Sequence, residues 1–337
     1  MFYGREIERK KLCTMFQTDG QMISLIYGRR RIGKSELIKQ VLKETEIKSI
    51  YYECKQTTEQ NNVDSLAELI GELFEFPKPA FENMEVLLQF LFQKAEKEQL
   101  ILVLDEYPYL RENSKGLDSI LQSVIDHYKD TSNMKLIVCG SYVDTMKALL
   151  EKQNPLYGRI DLTLNLKPMD YYESALFYSE FSDEDKVRLF SVFGGIPYYN
   201  RLIDSGKSVR DNIIDLIASP GARLENEVSM NLNSEISKNT NANEVFEALA
   251  KGFSRYKDIL NQSNVSSGPA LIDILDKLMR MDVVAKEAPI NDENNKKKSG
   301  YFISDNLSLF YYKYIFRNMS RLNIMDPDVF YDRYISE

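Results

Sequence analysis

The sequence predicts an α/β protein: a parallel-sheet domain first, then a helical lid, then a winged-helix domain. Three observations carry this. Through the first half of the 337 residues, short apolar runs alternate with helical patterns, as βαβ units around a parallel sheet do. A glycine-rich octapeptide at 28–35 lies between an apolar run and an amphipathic one. From about 241, three helical patterns are followed by two strand-like runs, the order of a winged helix.

The first strand is predicted at 22–27 and the helix after the octapeptide at 36–42. A second strand follows at 49–54, then helices around 63–74 and 84–97. Residues 100–106 are the most apolar strand and end in Asp105-Glu106. A helix near 116–130 leads to a strand at 135–141, and 160–166 closes a domain of 1–167. Residues 168–240 read as helical throughout, broken at Gly194-Gly195-Ile196-Pro197 and Ser219-Pro220-Gly221. Residues 241–320 hold helices at 244–250, 256–260 and 270–281. Pro269 stands at the start of the last one, where proline is tolerated. Strands at 283–286 and 301–304 follow, joined by 291–299, and 321–337 is a tail.

Composition narrows the chemistry. No apolar run reaches the ~18 residues of a membrane span, and the N-terminus lacks a signal-peptide pattern, so the chain is expected in the cytoplasm with no membrane partner. Cys13, Cys54 and Cys139 are far apart in apolar surroundings and read as buried free thiols. The single histidine, His127, lies in a helical pattern. That nearly excludes zinc hydrolases, Ser-His-Asp triads and histidine general bases, which need His in a specific partnership, and leaves carboxylates, Lys, Arg, Ser and a metal. The net charge of −8 opposes indiscriminate nucleic-acid binding.

Gly28-Arg29-Arg30-Arg31-Ile32-Gly33-Lys34-Ser35 satisfies GxxxxGK[ST]. Between strand and helix, backbone N–H groups of such a loop point at phosphates, and the helix dipole adds positive charge. Lys34 is expected on the β/γ-phosphates and Ser35 on Mg²⁺. Residues 28–36, through Glu36, form the expected nucleotide-binding segment. Asp105 at a strand tip would hold Mg²⁺ through its water shell, and Glu106 would polarise a water for in-line attack. An acidic pair marks the P-loop enzymes that carry their own base, and no [NT]KxD guanine motif is present, which favours ATP over GTP. Ser141, at the tip of the 135–140 strand, would hydrogen-bond the attacking water if the loop strand lies beside it.

These segments resemble the archaeal-type ATPases of the AAA+ class, within the STAND signal-transduction group. The matching pieces include Phe2-Tyr3-Gly4-Arg5-Glu6, the loop itself, Leu102-Val103-Leu104-Asp105-Glu106-Tyr107, Cys139-Gly140-Ser141, Pro155-Leu156-Tyr157-Gly158-Arg159 and Gly194-Gly195-Ile196-Pro197-Tyr198-Tyr199. The winged-helix tail matches at Tyr301-Phe302-Ile303-Ser304-Asp305. The resemblance implies ATP or ADP bound between an ASCE-type P-loop NTPase domain and a helical lid. It also implies Pro197 on the adenine side, against the plainer reading of a helix-breaking turn. Arg159 becomes a cation for the γ-phosphate, against a structural ion pair. Many relatives continue into a nuclease-like domain; either this member lacks it or the sequence ends before it at Glu337, and no nuclease chemistry is expected in these residues.

The function expected is a Mg²⁺-dependent, slowly hydrolysing ATPase that acts as a conformational switch. The alternative is a winged-helix DNA-binding regulator in which nucleotide is mainly structural. Partner contacts, to protein or DNA, would run through the winged helix. Its third helix carries Asp273, Asp276, Lys277 and Arg280, and its wing Lys296, Lys297 and Lys298.

Overall fold

A computed structural model describes residues 2–235, 241–292 and 299–336. The wing lysines 296–298 lie outside the described residues. The chain divides into two compact units, Met1–Lys167 and Pro168–Glu337. No described helix is long and apolar enough to cross a membrane.

The first unit runs α1 (Glu6–Gln17), β1 (Met22–Tyr27), α2 (Lys34–Leu42), β2 (Lys48–Glu53), α3 (Glu59–Phe74), α4 (Met84–Lys94), β3 (Leu100–Asp105), α5 (Tyr107–Asn113), α6 (Leu117–His127), β4 (Met134–Gly140), α7 (Val143–Ala148) and β5 (Leu162–Asn165). The five strands form one parallel sheet in the order β2-β3-β4-β1-β5. Both faces are covered, so β3 and β4 are buried at every position, which is why they read as unbroken apolar runs. One face packs Leu25, Ile50, Leu102, Leu104, Leu136 and Val138 against residues of α3, α4 and α6. The opposite face meets α2, whose Lys39 stands 4.8 Å over the Tyr51 ring.

Three sequence readings of this unit change. Helix α3 begins at Glu59 because the Thr58 hydroxyl accepts the Asn61 N–H, a cap that periodicity alone does not reveal. Helix α5 was not expected; it is only seven residues long and carries Pro108 in its first turn, where no helical hydrogen bond is lost. Cys13 is half-buried, its thiol 3.9 Å from Glu44 Oε2, so only Cys54 and Cys139 are buried thiols.

The second unit opens with α8 (Tyr171–Ala175), α9 (Asp183–Phe193), α10 (Pro197–Asn200), α11 (Val209–Ile213) and α12 (Glu227–Glu235). Gly195 is dictated by packing: a Cβ there would collide with the backbone of Met169. Next come α13 (Ala242–Ala250), α14 (Tyr256–Gln262) and α15 (Gly268–Arg280), then an antiparallel pair, β6 (Val284–Glu287) and β7 (Gly300–Ile303). The Ser267 hydroxyl caps α15 through the Ala270 N–H, with Pro269 in the first turn. The unit closes with α16 (Asn306–Phe310), α17 (Met319–Leu322) and α18 (Pro327–Tyr334).

Candidate functional site

The site is assembled at the carboxyl edge of the sheet, where parallel strands hand their chemistry to loops. In β1 and β4, Tyr27 lies opposite Gly140, so Gly28 and Ser141 leave the sheet side by side. Within the loop, Arg31 (φ 66°) and Gly33 (φ 91°) are left-handed while Ile32 between them is not, and Gly28 at the loop's entry also has a positive φ (155°). That alternation curls successive N–H groups around a concavity suited to an anion. Gly28 must be glycine because a Cβ would strike the Leu166 carbonyl beyond β5.

Lys34 opens α2 and is buried. Its Nζ donates to the carbonyls of Gly28 (2.9 Å) and Arg29 (3.1 Å) and to Ser141 Oγ (2.8 Å). Burial pulls the ammonium below the ordinary lysine range, and the Glu106 and Asp105 carboxylates pull it back up. Ser141 in turn donates to Glu106 Oε1 (2.5 Å), and its backbone N–H donates to Oε2 (3.2 Å). Cation, hydroxyl and carboxylate thus form one chain from the loop to the tips of β4 and β3. Glu106 itself is left-handed (φ 51°, ψ 43°), a conformation that costs a non-glycine residue energy and turns the chain sharply from β3 into α5.

Three groups donate to the Asp105 carboxylate: the Ser35 hydroxyl reaches Oδ2 at 2.6 Å, Tyr51 OH reaches the same oxygen, and the Glu106 N–H reaches Oδ1 at 2.9 Å. Burial opposes charge on Asp105, but these donors outweigh it and hold the carboxyl below its usual range. Burial and the Asp105 charge drive the Tyr51 phenol and the Cys139 thiol upward, so both stay protonated. Ser35 and Asp105 offer one hydroxyl and one ionised carboxylate, the all-oxygen pair that suits Mg²⁺ held otherwise by phosphate and water. Among the described residues, no cluster of three or more His, Cys, Asp or Glu could hold a metal by itself.

The remaining expected residues fall differently. Arg29 is buried within the loop, whereas Arg30, Arg31 and Glu36 are exposed. Ile32 is buried, and its carbonyl accepts Arg5 Nη2 (3.3 Å), which also donates to Lys167 O (2.6 Å). Arg159 is not brought to the loop. Its guanidinium forks onto Asp126 of α6 (2.8 and 2.7 Å), holding that carboxyl below its usual range. Two residues on, Asp161 accepts the N–H of Ile23 at the start of β1, so Arg159 lies by the amino edge, across the sheet from the loop. Pro197 sits in the second unit, in the first turn of α10, where it opens a helix.

Tyr51, Cys139, Arg5, Tyr109 and Tyr142 were missed in the sequence. Tyr51 shares the Asp105 face because Tyr51 pairs with Val103 and Glu53 with Asp105, a register invisible before the strands are ordered. Tyr142 directly after Ser141, and Tyr109 one turn after Glu106, were the signals available: aromatic residues beside the two motif tips.

Comparison with known proteins agrees with this geometry. Residues 2–202 match the family described as an ATPase domain predominantly from Archaea. The uncharacterized protein MJECL04 of Methanocaldococcus jannaschii is 29% identical over 324 residues, covering 96% of this chain and 70% of that protein. The Walker-type ATPase PABY2304 of Pyrococcus abyssi superposes with a TM-score of 0.66 at 20% identity, over 92% of this chain and 96% of that one. The ORC2 protein of Aeropyrum pernix, solved as ADPNP–ADP complexes, gives 0.57 at 14% identity, over 94% and 93%. Those two likenesses establish a shared P-loop NTPase fold. A loop, two strand tips and a sheet order of this kind, matched by a family model over more than half its length, place the chain in the archaeal-type P-loop ATPase family.

Proposed function

We propose that this chain binds ATP with Mg²⁺ at the β1–α2 loop, hydrolyses it slowly, and uses the cycle as a conformational switch. The observation that carries the reading is the hydrogen-bonded chain Lys34–Ser141–Glu106, set beside Ser35–Asp105. Lys34 exchanges its carbonyl partners for β/γ-phosphate oxygens. Ser35 and Asp105 hold the Mg²⁺, which when bound neutralises phosphate charge and orients the triphosphate. Glu106 accepts a proton from the attacking water, while Ser141 fixes the carboxylate. Pro197 lines the adenine side.

The helices α13–α15 with β6–β7 are read as a winged helix that meets a protein partner rather than DNA. In α15, Lys277 is tied to Asp273 at 2.7 Å, so its charge is already answered. The test is calorimetric titration of MgATP together with phosphate-release kinetics. Glu106→Gln is expected to keep wild-type affinity and lose at least about 100-fold in turnover. Full turnover in that variant would remove Glu106 as the base; absence of MgATP binding by the wild type would overturn the reading.

A further inference from the structure

Arg30 is the loop cation that the reading above leaves without a task. It projects from the middle of the loop and is exposed. Its Nη2 donates to Tyr142 OH (3.1 Å) and Tyr109 OH (3.5 Å), and its guanidinium carbon stands 5.5 Å from the centre of the Tyr142 ring. The two rings meet edge to face at 5.9 Å and 76°, so they brace each other as well as the arginine. Both tyrosines are fastened to the catalytic tips. The Tyr109 N–H donates to Glu106 O at 3.0 Å, one turn into α5, and Tyr142 directly follows Ser141. A cation is therefore fixed by its own chain on the side of the loop that faces Glu106 and Ser141.

Neither Arg159 nor Arg29 is placed there. Arg159 is bound across the sheet to Asp126, and Arg29 is buried within the loop. Lys34 serves the loop interior. Among the described residues the Nε and Nη1 groups of Arg30 have no partner, so the guanidinium can take phosphoryl oxygens without giving up both phenols.

We propose that Arg30, held by Tyr109 and Tyr142, is the cation that stabilises the γ-phosphoryl group during hydrolysis, supplied by the same chain rather than by a second copy. The inference rests on the ATPase reading. In the step, the water oxygen bonds to the γ-phosphorus as the bond to the β–γ bridging oxygen breaks. The water proton passes to Glu106, and ADP leaves with the electron pair. Charge on the equatorial and leaving oxygens is what Arg30 meets, and such a cation is worth about 10³–10⁵ in rate.

The experiment uses the full chain and three readouts: affinity for a fluorescent ATP analogue, single-turnover hydrolysis, and trapping of ADP with aluminium fluoride. Arg30→Ala is expected to keep affinity within about 3-fold, lose about 10³-fold in turnover and fail to trap ADP–aluminium fluoride. Added guanidinium is expected to restore part of the rate in Arg30→Ala and none in Glu106→Gln. Tyr142→Phe is expected to fall between wild type and Arg30→Ala, and wild-type turnover per molecule is expected not to vary with protein concentration. Arg30→Ala that hydrolyses and traps like a hydrolysing wild type overturns the inference alone. So does turnover that rises with protein concentration and vanishes in Arg159→Ala, which would assign the role to a second copy. A wild type that neither binds nor hydrolyses ATP overturns the parent reading and this inference together.

Discussion

Two buried lysines stand at opposite edges of the same sheet, and the proposed site takes only one of them. Lys135, at the amino edge on β4, donates Nζ to Thr18 O at 2.7 Å and to Gly20 O, closing the turn between α1 and β1. Lys34, at the carboxyl edge, also donates to two backbone carbonyls. Burial depresses both ammonium groups, with carboxylates pulling back in each case: Asp19 and Asp161 for Lys135, Glu106 and Asp105 for Lys34. Depth and a lowered pKa therefore do not distinguish structure from function. What distinguishes Lys34 is its third partner, a hydroxyl wired to a strand-tip carboxylate, in a loop with left-handed residues at Arg31 and Gly33. Lys135 touches carbonyls that have nowhere else to go; Lys34 touches groups that a phosphate can replace.

The sharpest way to break this comparison is to replace each lysine by an apolar residue of similar length. Lys34→Met is expected to lose MgATP affinity by at least about 100-fold, because a charge-assisted partner of the phosphates is gone. Lys135→Met is expected to hold affinity within about 3-fold yet lose on the order of 2–3 kcal/mol of stability, since two buried carbonyls lose their donor. Calorimetry and urea unfolding on both variants read the two effects; equal loss of affinity would erase the distinction between the edges.

A second expectation concerns pH. The folded Asp105 carboxyl titrates below its ordinary value, so its stabilisation is fully present above about pH 4 and is lost as pH falls through the lowered value. Urea unfolding between pH 5 and the acid limit is expected to be steeper for the wild type than for Asp105→Asn. Parallel curves would mean that Ser35, Tyr51 and the Glu106 N–H do not stabilise the charged form.

The smallest effect belongs to the amino edge. The Arg159–Asp126 pair leaves 27% and 48% of its side chains exposed, so solvent screens it heavily. Arg159→Ala is expected to cost less than about 1 kcal/mol in unfolding free energy. A loss several times larger would make that edge a buried ionic network rather than a surface clasp.

What the sequence disclosed followed the reach of each signal. The loop, Asp105-Glu106 and Ser141 were legible because each is a short motif at the end of an apolar run, and parallel sheets gather such ends on one edge. The Tyr51 donor to Asp105 was not, since it reaches the carboxylate only through the pairing of β3 with β2. Arg159 was misplaced because its partner Asp126 lies 33 residues earlier, on helix α6. Arg30 was visible only as one of three arginines; what separates it from Arg29 and Arg31 is a pair of tyrosines contributed by α5 and the turn before α7.

The most direct test of the joint grip is a crystal structure of Glu106→Gln with MgATP. Lys34 Nζ is expected drawn off the Gly28 and Arg29 carbonyls and onto β/γ-phosphate oxygens, with Ser35 and Asp105 on the metal side of the same triphosphate. Lys34 still bonded to Gly28, Arg29 and Ser141, with the nucleotide lodged elsewhere, would contradict it.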